Sequence, residues 1–267
     1  NFRFGNCVGI SGDTAIVGAP GNEAAFIYVR SGGVWTQQQR ISSGVVGGFG
    51  QQCAISGDSA IISARNEPGG AGAAYVYVRN GGVWTQQARL TAISGSVAPI
   101  VGDVVSIEGD TVALGVLNDD SFRGSVQVFV RSGTTWTAQQ RILASDGLSG
   151  NVFGSSVSLS GDTLIAGATD VPESGAQNAG SAYVFTRSGG VWTQQQKLVS
   201  GDSRPQAKFG TSVTVEGNTA VVGSVRNNPI NGFEGGMGYV FQRSGNVWTR
   251  SQRLFSADNH GDRFGLS

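Results

Sequence analysis

The side chains of this sequence that could do chemistry are few, and most are carboxylates. Asp119, Asp120, Asp170, Glu173 and Glu234 fall between strand-like segments, with Asp146, Asp202 and Asp258 at mutually similar places in other connections. Gathered together, such groups could hold Ca²⁺ through their oxygens or act as paired acids in glycoside hydrolysis; their commonest use is plain solvation. No catalytic pair stands out. A hydrolytic triad needs a histidine to shuttle the proton, and the one His, His260, lies near a chain end. One His and two Cys on different repeats give no zinc spacing. The 43 glycines never build a phosphate-cradling loop with its Lys and Ser/Thr. The residues point to binding rather than turnover, with no catalytic, metal-ligating or cofactor-holding residue to name.

The elements that position these groups come from internal repetition. The hairpin Val29-Arg30-Ser31-Gly32-Gly33-Val34-Trp35-Thr36-Gln37-Gln38 returns around Trp84, Trp136, Trp192 and Trp248, at spacings of 49, 52, 56 and 56 residues. Upstream of each Trp lies a second shared unit, as in Phe153-Gly154-Ser155-Ser156-Val157-Ser158-Leu159-Ser160-Gly161-Asp162-Thr163, with counterparts at Phe4, Phe49, Val101 and Phe209. Each repeat reads as four strands: strand A with alternating apolar residues, strand B after the Gly-Asp turn, an aromatic and β-branched strand C, and strand D at Trp-Thr-Gln-Gln. Four strands per repeat is the signature of a propeller blade. The predicted fold is therefore all-β, a five-bladed β-propeller of four-stranded antiparallel blades, forming one domain over 1–267. The repeats run 1–48, 49–100, 101–152, 153–208 and 209–267.

The spacing also divides the two ends of a blade. Strand A to its turn, and strand C to its Trp, keep the same lengths in all five repeats. The B-C landmarks lie 10, 14, 14, 18 and 18 residues apart, and each Trp precedes the next strand A by 14, 17, 17, 17 and 16. In an antiparallel meander the B-C and D-A connections share one end of the sheet. Variable loops on a rigid scaffold are where binding is usually placed, so the candidate ligand face carries Asp119, Asp120, Arg123, Asp170, Glu173, Arg226, Asn228 and Glu234.

Several recurring residues have two readings. Gly12-Asp13, Gly57-Asp58, Gly109-Asp110 and Gly161-Asp162, with Gly217-Asn218, fit two-residue hairpin turns that need positive φ, or could supply five carboxylate sites. The five Trp could stack on sugar rings or cover the outer edges of their blades. Arg30, Arg79, Arg131, Arg187 and Arg243, and Arg40, Arg89, Arg141, Lys197 and Arg253 on the opposite hairpin limb, fit positions over neighbouring aromatic or polar side chains. Cys7 and Cys53 occupy strand A of adjacent repeats with opposite parity, which puts them on faces that can meet. They are either a disulfide between blades one and two or two buried thiols.

Lys plus Arg and Asp plus Glu both number 18, so the positive field that gathers nucleic acid is missing. No run of 18 apolar residues exists to insert in a membrane. Asn1-Phe2-Arg3-Phe4 resembles neither an initiator Met nor a signal peptide, and the chain reads as a processed or excised piece.

Phe-Gly at Phe4-Gly5, Phe49-Gly50, Phe153-Gly154, Phe209-Gly210 and Phe264-Gly265, with Gly18-Ala19-Pro20 after strand B, resembles the FG-GAP repeat, in its bacterial-type variant. That family builds the propeller head of integrin α subunits. The resemblance implies an extracellular or cell-surface adhesion or protein-interaction module, with a multivalent carbohydrate-binding lectin as the alternative. The implied partner is a protein or glycan on the B-C/D-A face. The integrin-type Asp-rich calcium loop between strands A and B is replaced by turns such as Ser11-Gly12-Asp13-Thr14, so no Ca²⁺ site is carried over. Gly261-Asp262-Arg263-Phe264-Gly265 restarts the unit that begins at Arg3-Phe4-Gly5. Either the ends meet in a five-bladed ring, or the chain is part of a larger polypeptide or assembly.

Overall fold

The structure is a computed structural model that describes residues 3–93, 99–202, 204–225 and 235–255. It contains five four-stranded antiparallel sheets, each a meander in chain order. The first holds β1 (Val8–Ser11), β2 (Thr14–Ala19), β3 (Ala24–Ser31) and β4 (Val34–Ile41); the second holds β5 (Phe49–Ser56), β6 (Ser59–Ala64), β7 (Ala73–Asn80) and β8 (Val83–Leu90). The third is built from β9 (Val104–Glu108), β10 (Thr111–Val116), β11 (Ser125–Ser132) and β12 (Thr135–Ile142). The fourth has β13 (Phe153–Ser160), β14 (Thr163–Ala168), β15 (Ser181–Ser188) and β16 (Val191–Leu198); the fifth has β17 (Val213–Glu216), β18 (Thr219–Ser224), β19 (Met237–Ser244) and β20 (Val247–Leu254). The four-strand blades expected from the repeats are all present. The chain forms two compact units, one of Asn1–Asp119 with Gln127–Arg141, the other of Asp120–Val126 with Ile142–Ser267.

The A-B hairpins close as the Gly-Asp pairs require. Gly12, Gly57, Gly109, Gly161 and Gly217 all have φ between 52° and 57°, while the following Asp or Asn keeps a negative φ, the pattern of a type II′ turn. The turn residue has a further task. The Arg that ends strand C donates Nε to it: Arg30 to Asp13 at 2.7 Å, Arg79 to Asp58 at 2.6 Å, Arg131 to Asp110 at 2.6 Å, Arg187 to Asp162 at 2.7 Å and Arg243 to Asn218 at 2.8 Å. Each guanidinium then lies over its own blade's Trp, 5.0 to 5.3 Å from the ring centroid.

Blade cores are built on the Phe-Gly signature. Phe49, Phe153 and Phe209 are fully buried and meet strand-C aromatics: Phe49 meets Tyr75 and Tyr77, Phe153 meets Tyr183 and Phe185, and Phe209 meets Tyr239 and Phe241. The glycine that follows is a contact between neighbouring blades. A Cβ on Gly18 would lie 2.2 Å from the Gly50 carbonyl oxygen, and one on Gly167 would lie 2.0 Å from that of Gly210. The strand-B glycine of one blade is thus the seat of the Phe-Gly backbone of the next.

Within each unit, strand A of one blade packs on strands A and B of its predecessor, and side chains lock the step. Ser11 accepts the turn N–H of Gly57 at 2.9 Å, Ser56 that of Gly109 at 3.1 Å, and Ser160 that of Gly217 at 3.0 Å. Cys7 and Cys53 form a disulfide across blades one and two, with Cα atoms 5.7 Å apart. Strand A is shorter than expected in the first and fifth sheets, so Cys7 precedes β1 rather than lying inside it. Ser156, its equivalent in blade four, donates its hydroxyl to the Gly210 carbonyl at 2.7 Å.

The strand-D Gln pair has an interblade role that composition does not reveal. A bulge between Ile27 and Tyr28 leaves Gln38 without a partner in the β3–β4 ladder, and shifts in blades two, four and five fall at the same place. The bulge turns Gln38 toward the next blade, where it accepts the indole N–H of Trp84 at 3.2 Å. Gln87 does this for Trp136 at 2.8 Å and Gln195 for Trp248 at 3.1 Å.

Candidate interaction surface

In the second unit, the end of the sheets that carries the B-C and D-A connections is held by carboxylates in defined ion pairs. Strand register sets this up. Tyr75, Tyr183 and Tyr239 of strand C lie directly across the ladder from Arg89, Lys197 and Arg253 of strand D. A loop carboxylate bridges each pair. Asp146 accepts the Tyr183 hydroxyl at 2.7 Å and the Lys197 ammonium at 2.7 Å, and Asp202 accepts Tyr239 at 3.1 Å and Arg253 at 2.8 Å. In the first unit, buried Glu67 receives both Tyr75 and Arg89, and Asp119, fully buried, takes Arg141 at 2.7 Å.

The predicted ligand residues divide accordingly. Asp119 is not on a contact surface: burial against Arg141 makes it part of the framework. Asp120 is exposed, 3.7 Å from Arg123, whose guanidinium also reaches the Ala144 carbonyl at 3.3 Å. Asp170 pairs with Lys208 at 2.7 Å, and Glu173 sits 3.7 Å from Lys197, which joins it to Asp146. Arg226, Asn228 and Glu234 lie outside the described residues, as do Asp258 and His260. Among the described residues, no three His, Cys, Asp or Glu side chains come together as a metal-binding group.

The electrostatics are those of mutually satisfied pairs. Burial alone would raise the Asp146 carboxyl, but hydrogen bonds from Lys197 and Tyr183 and the Lys197 charge outweigh it and hold the group below the usual carboxylate range. Tyr183 is pushed well above an ordinary phenol by burial first, then by its bond to Asp146. Neither group is poised to exchange a proton near neutrality.

The loops of the second unit also present apolar side chains, and those of the first unit line a cleft. Asp120, Ser121 and Phe122 take φ of 51°, 58° and 62°, three successive left-handed residues. The D-A segment holds that turn: Gly150 N–H bonds Ser121 O at 3.2 Å, Val152 N–H bonds Phe122 O at 2.9 Å, and the Ser149 hydroxyl bonds Ser121 O at 2.7 Å. Phe122 and Leu148 project from the two hydrogen-bonded segments as exposed side chains. In the first unit, Arg3, Pro20, Glu23, Val46, Gln51 and Asn66 line an open cleft of about 380 Å³. Glu23, itself left-handed at φ 49°, fixes the cleft by accepting the N–H of Gly48 at 3.0 Å and of Phe49 at 2.7 Å.

Sequence reasoning missed Glu67, Glu23 and Lys208 as parts of this surface, while Lys197 lies as expected over a neighbouring aromatic side chain, 5.7 Å from the Tyr183 ring centroid. The signal for the Tyr and base pairs was available, since Tyr75 to Arg89, Tyr183 to Lys197 and Tyr239 to Arg253 are each 14 residues apart. The Trp residues lie at the other end of the blades. Trp84, Trp192 and Trp248 are buried beneath Arg side chains, which fits the edge-covering reading for these three, while Trp35 and Trp136 keep part of their surface exposed.

Comparison with known proteins agrees with the blade architecture. No curated protein matches the sequence. Solved structures that resemble this chain include a protein from Lactobacillus plantarum (TM-score 0.61, 11% identity, covering 94% of this chain and 70% of that one). Kuenenia stuttgartiensis hydrazine synthase is similar at TM-score 0.60 and 10% identity, covering 96% of this chain and 76% of that one. A nidogen/laminin complex matches at TM-score 0.52 and 10% identity, covering 94% and 79%. Of one further matching chain this chain spans 62% of the length. At such identities the likeness shows the fold alone, that of the β-propeller. Residues 136–185 and 192–241 match the FG-GAP repeat; outside them the Trp hairpin recurs at Trp35 and Trp84 and the Phe-Gly pair at Phe4 and Phe49, with Val101-Gly102 in its place in blade three, and the matched stretches are FG-GAP repeats folded as propeller blades.

Proposed function

We propose that this chain is a non-catalytic protein-interaction module working in adhesion outside the cell or at its surface, and that it engages a protein ligand through its B-C and D-A loops. The observation that carries this reading is the state of the carboxylates at that end of the blades. Asp146, Asp170 and Asp202 are each committed to a neighbouring cation at 2.7 to 2.8 Å, while the loops of the same unit expose Phe122 and Leu148, and those of the first unit expose Val46. Ion-paired supports flanking apolar tips suit a contact surface. The Cys7–Cys53 bond supports an oxidising compartment.

The test is adhesion of cells to surfaces coated with the wild-type chain or with Phe122→Asp/Leu148→Asp or Val46→Asp variants. Retention that falls at least about tenfold on a variant, and survives deglycosylation of the cells, is the expected result; tenfold corresponds to roughly 1.4 kcal/mol. Equal retention on all coatings would remove the loop face as the site. Loss of retention on deglycosylation alone would favour the lectin alternative.

A further inference from the structure

Two residues depart from the repeat at one place, the outer edge of blade three. In blade one, the Gln39 amide reaches across to blade two and takes both the N–H and the C=O of Trp84, each at 2.8 Å. Gln196 does the same for Trp248 in the step from blade four to blade five, again at 2.8 Å. The residue of blade two at that position is Ala88. Ala88 packs with Trp136 against one cluster and has no amide to offer it. The adjacent Gln87 still accepts the Trp136 indole N–H at 2.8 Å, so blades two and three adjoin here as blades one and two do at Gln38 and Trp84.

The second departure is Ala138. Gln194 and Arg250 hold its position in blades four and five, where their side chains reach the preceding D-A connection: Gln194 accepts the Ser145 N–H at 2.9 Å, and Arg250 donates to the Ser200 carbonyl. Ala138 is exposed and too short for either bond. β12 is the outermost strand of its sheet, and register shows what its edge presents. The Arg131 N–H turns inward to the Asp110 carbonyl at 2.9 Å, as the Arg79 N–H turns to Asp58 at 2.8 Å. Arg79 lies across the ladder from Trp84. By the same repeat Trp136 lies across from Arg131 and turns its own N–H and C=O outward, and Ala138, two residues on, does likewise. From Thr135 to Gln140 the strand holds no charged residue and no Pro, the usual devices that keep an edge from pairing with another chain. Ala88, Arg131, Trp136 and Ala138 all belong to the first unit.

We infer that the edge of blade three at Trp136 and Ala138 takes an extended, uncharged segment of a partner protein as an added strand. The occupant follows from what fills the equivalent place elsewhere. The carboxamides of Gln39 and Gln196 carry the donor and the acceptor of a peptide group, and where Ala88 withholds one, a peptide group from another protein supplies it. This edge lies at the Trp end of the blades, so it is a second surface, separate from the loop-borne one.

The experiment follows hydrogen exchange of the Trp136 and Ala138 amides by NMR in the folded chain, with end-blocked octapeptides that alternate Thr with Val, Leu or Tyr, to roughly 1 mM. At least one peptide is expected to slow exchange at both amides by about tenfold or more, while the Trp84 and Trp248 amides, already bonded by Gln, keep their rates. Ala88→Gln restores the side chain of the other joints. It should slow the Trp136 amide without peptide and weaken peptide binding by about tenfold. Should that variant not fold, Ala138→Pro, which removes one outward N–H from an exposed edge position, is expected to weaken binding in its place. Gln39→Ala should open a second such site at Trp84. No slowing at Trp136 and Ala138 by any of the peptides, or binding by Ala88→Gln equal to wild type, would overturn the inference. Slowing that rises with protein concentration in the absence of peptide would also overturn it, by assigning the edge to a second copy of the chain.

Discussion

Gln39 and the Trp84 backbone exchange two hydrogen bonds, the amide donating Nε2–H to the carbonyl at 2.8 Å and accepting the N–H through Oε1 at 2.8 Å. A side-chain amide thus takes the part of a neighbouring strand and closes the exposed edge of blade two. Gln39→Ala leaves that N–H and C=O without these partners, and a loss of about 1–3 kcal/mol is expected. Gln39→Glu keeps the acceptor and loses the donor, so it should fall between wild type and Ala. Urea denaturation of the three proteins checks the order, and Gln196→Ala should repeat it in the second unit, where Trp248 makes the same pair.

Reducing the Cys7–Cys53 bond, which spans 46 residues, should lower stability by roughly 4 kcal/mol if loop entropy governs the effect. Urea midpoints with and without dithiothreitol give the number. Cys7→Ser/Cys53→Ser should match the reduced wild type and be insensitive to reductant.

Gly167→Ala and Gly161→Ala separate two uses of glycine. The first puts a methyl 2.0 Å from the Gly210 carbonyl oxygen, whereas the second meets nothing within 4 Å and only strains a turn at φ 57°. The expected costs are roughly 3 kcal/mol or more for Gly167→Ala and about 1 kcal/mol for Gly161→Ala. Comparable midpoints for the two variants would refute the seating of one blade on the next at this glycine.

Stability should decline at both ends of the pH scale for assignable reasons. Asp146 is held below its ordinary range, so its contribution is complete above the unfolded carboxylate value and is lost as acid protonates the folded group. Tyr77 is pushed up to about 12 by burial, so its contribution is complete below pH 10 and disappears between pH 10 and about 12. Thermal melts across pH 9–12 should fall less steeply for Tyr77→Phe than for wild type, and melts across pH 2–5 less steeply for Asp146→Asn.

The fold was legible because each blade repeats its own instructions: a Gly-Asp turn, an aromatic strand C and a Trp hairpin at fixed distances. The joints were less so. Gln38 and Gln39 differ only in which side of a bulge they occupy, and a bulge has no signature in a run of three glutamines. Asp119 and Asp120 show the limit at the interaction surface, since adjacent acids in one loop divided into a buried framework group and an exposed one. What decided between them was Arg141, 22 residues away, and the left-handed turn that begins at Asp120.

A covalent link between neighbouring blades also determines how the molecule answers to force. Tension applied at the two ends passes from Cys7 to Cys53 through sulfur, so the 46-residue separation between them, roughly 160 Å of extended chain, bears no load. Blade one lies wholly inside this bypass. A tether made from this chain would lengthen by unravelling its other blades while the first stayed folded, and reduction would release the stored length in a single step.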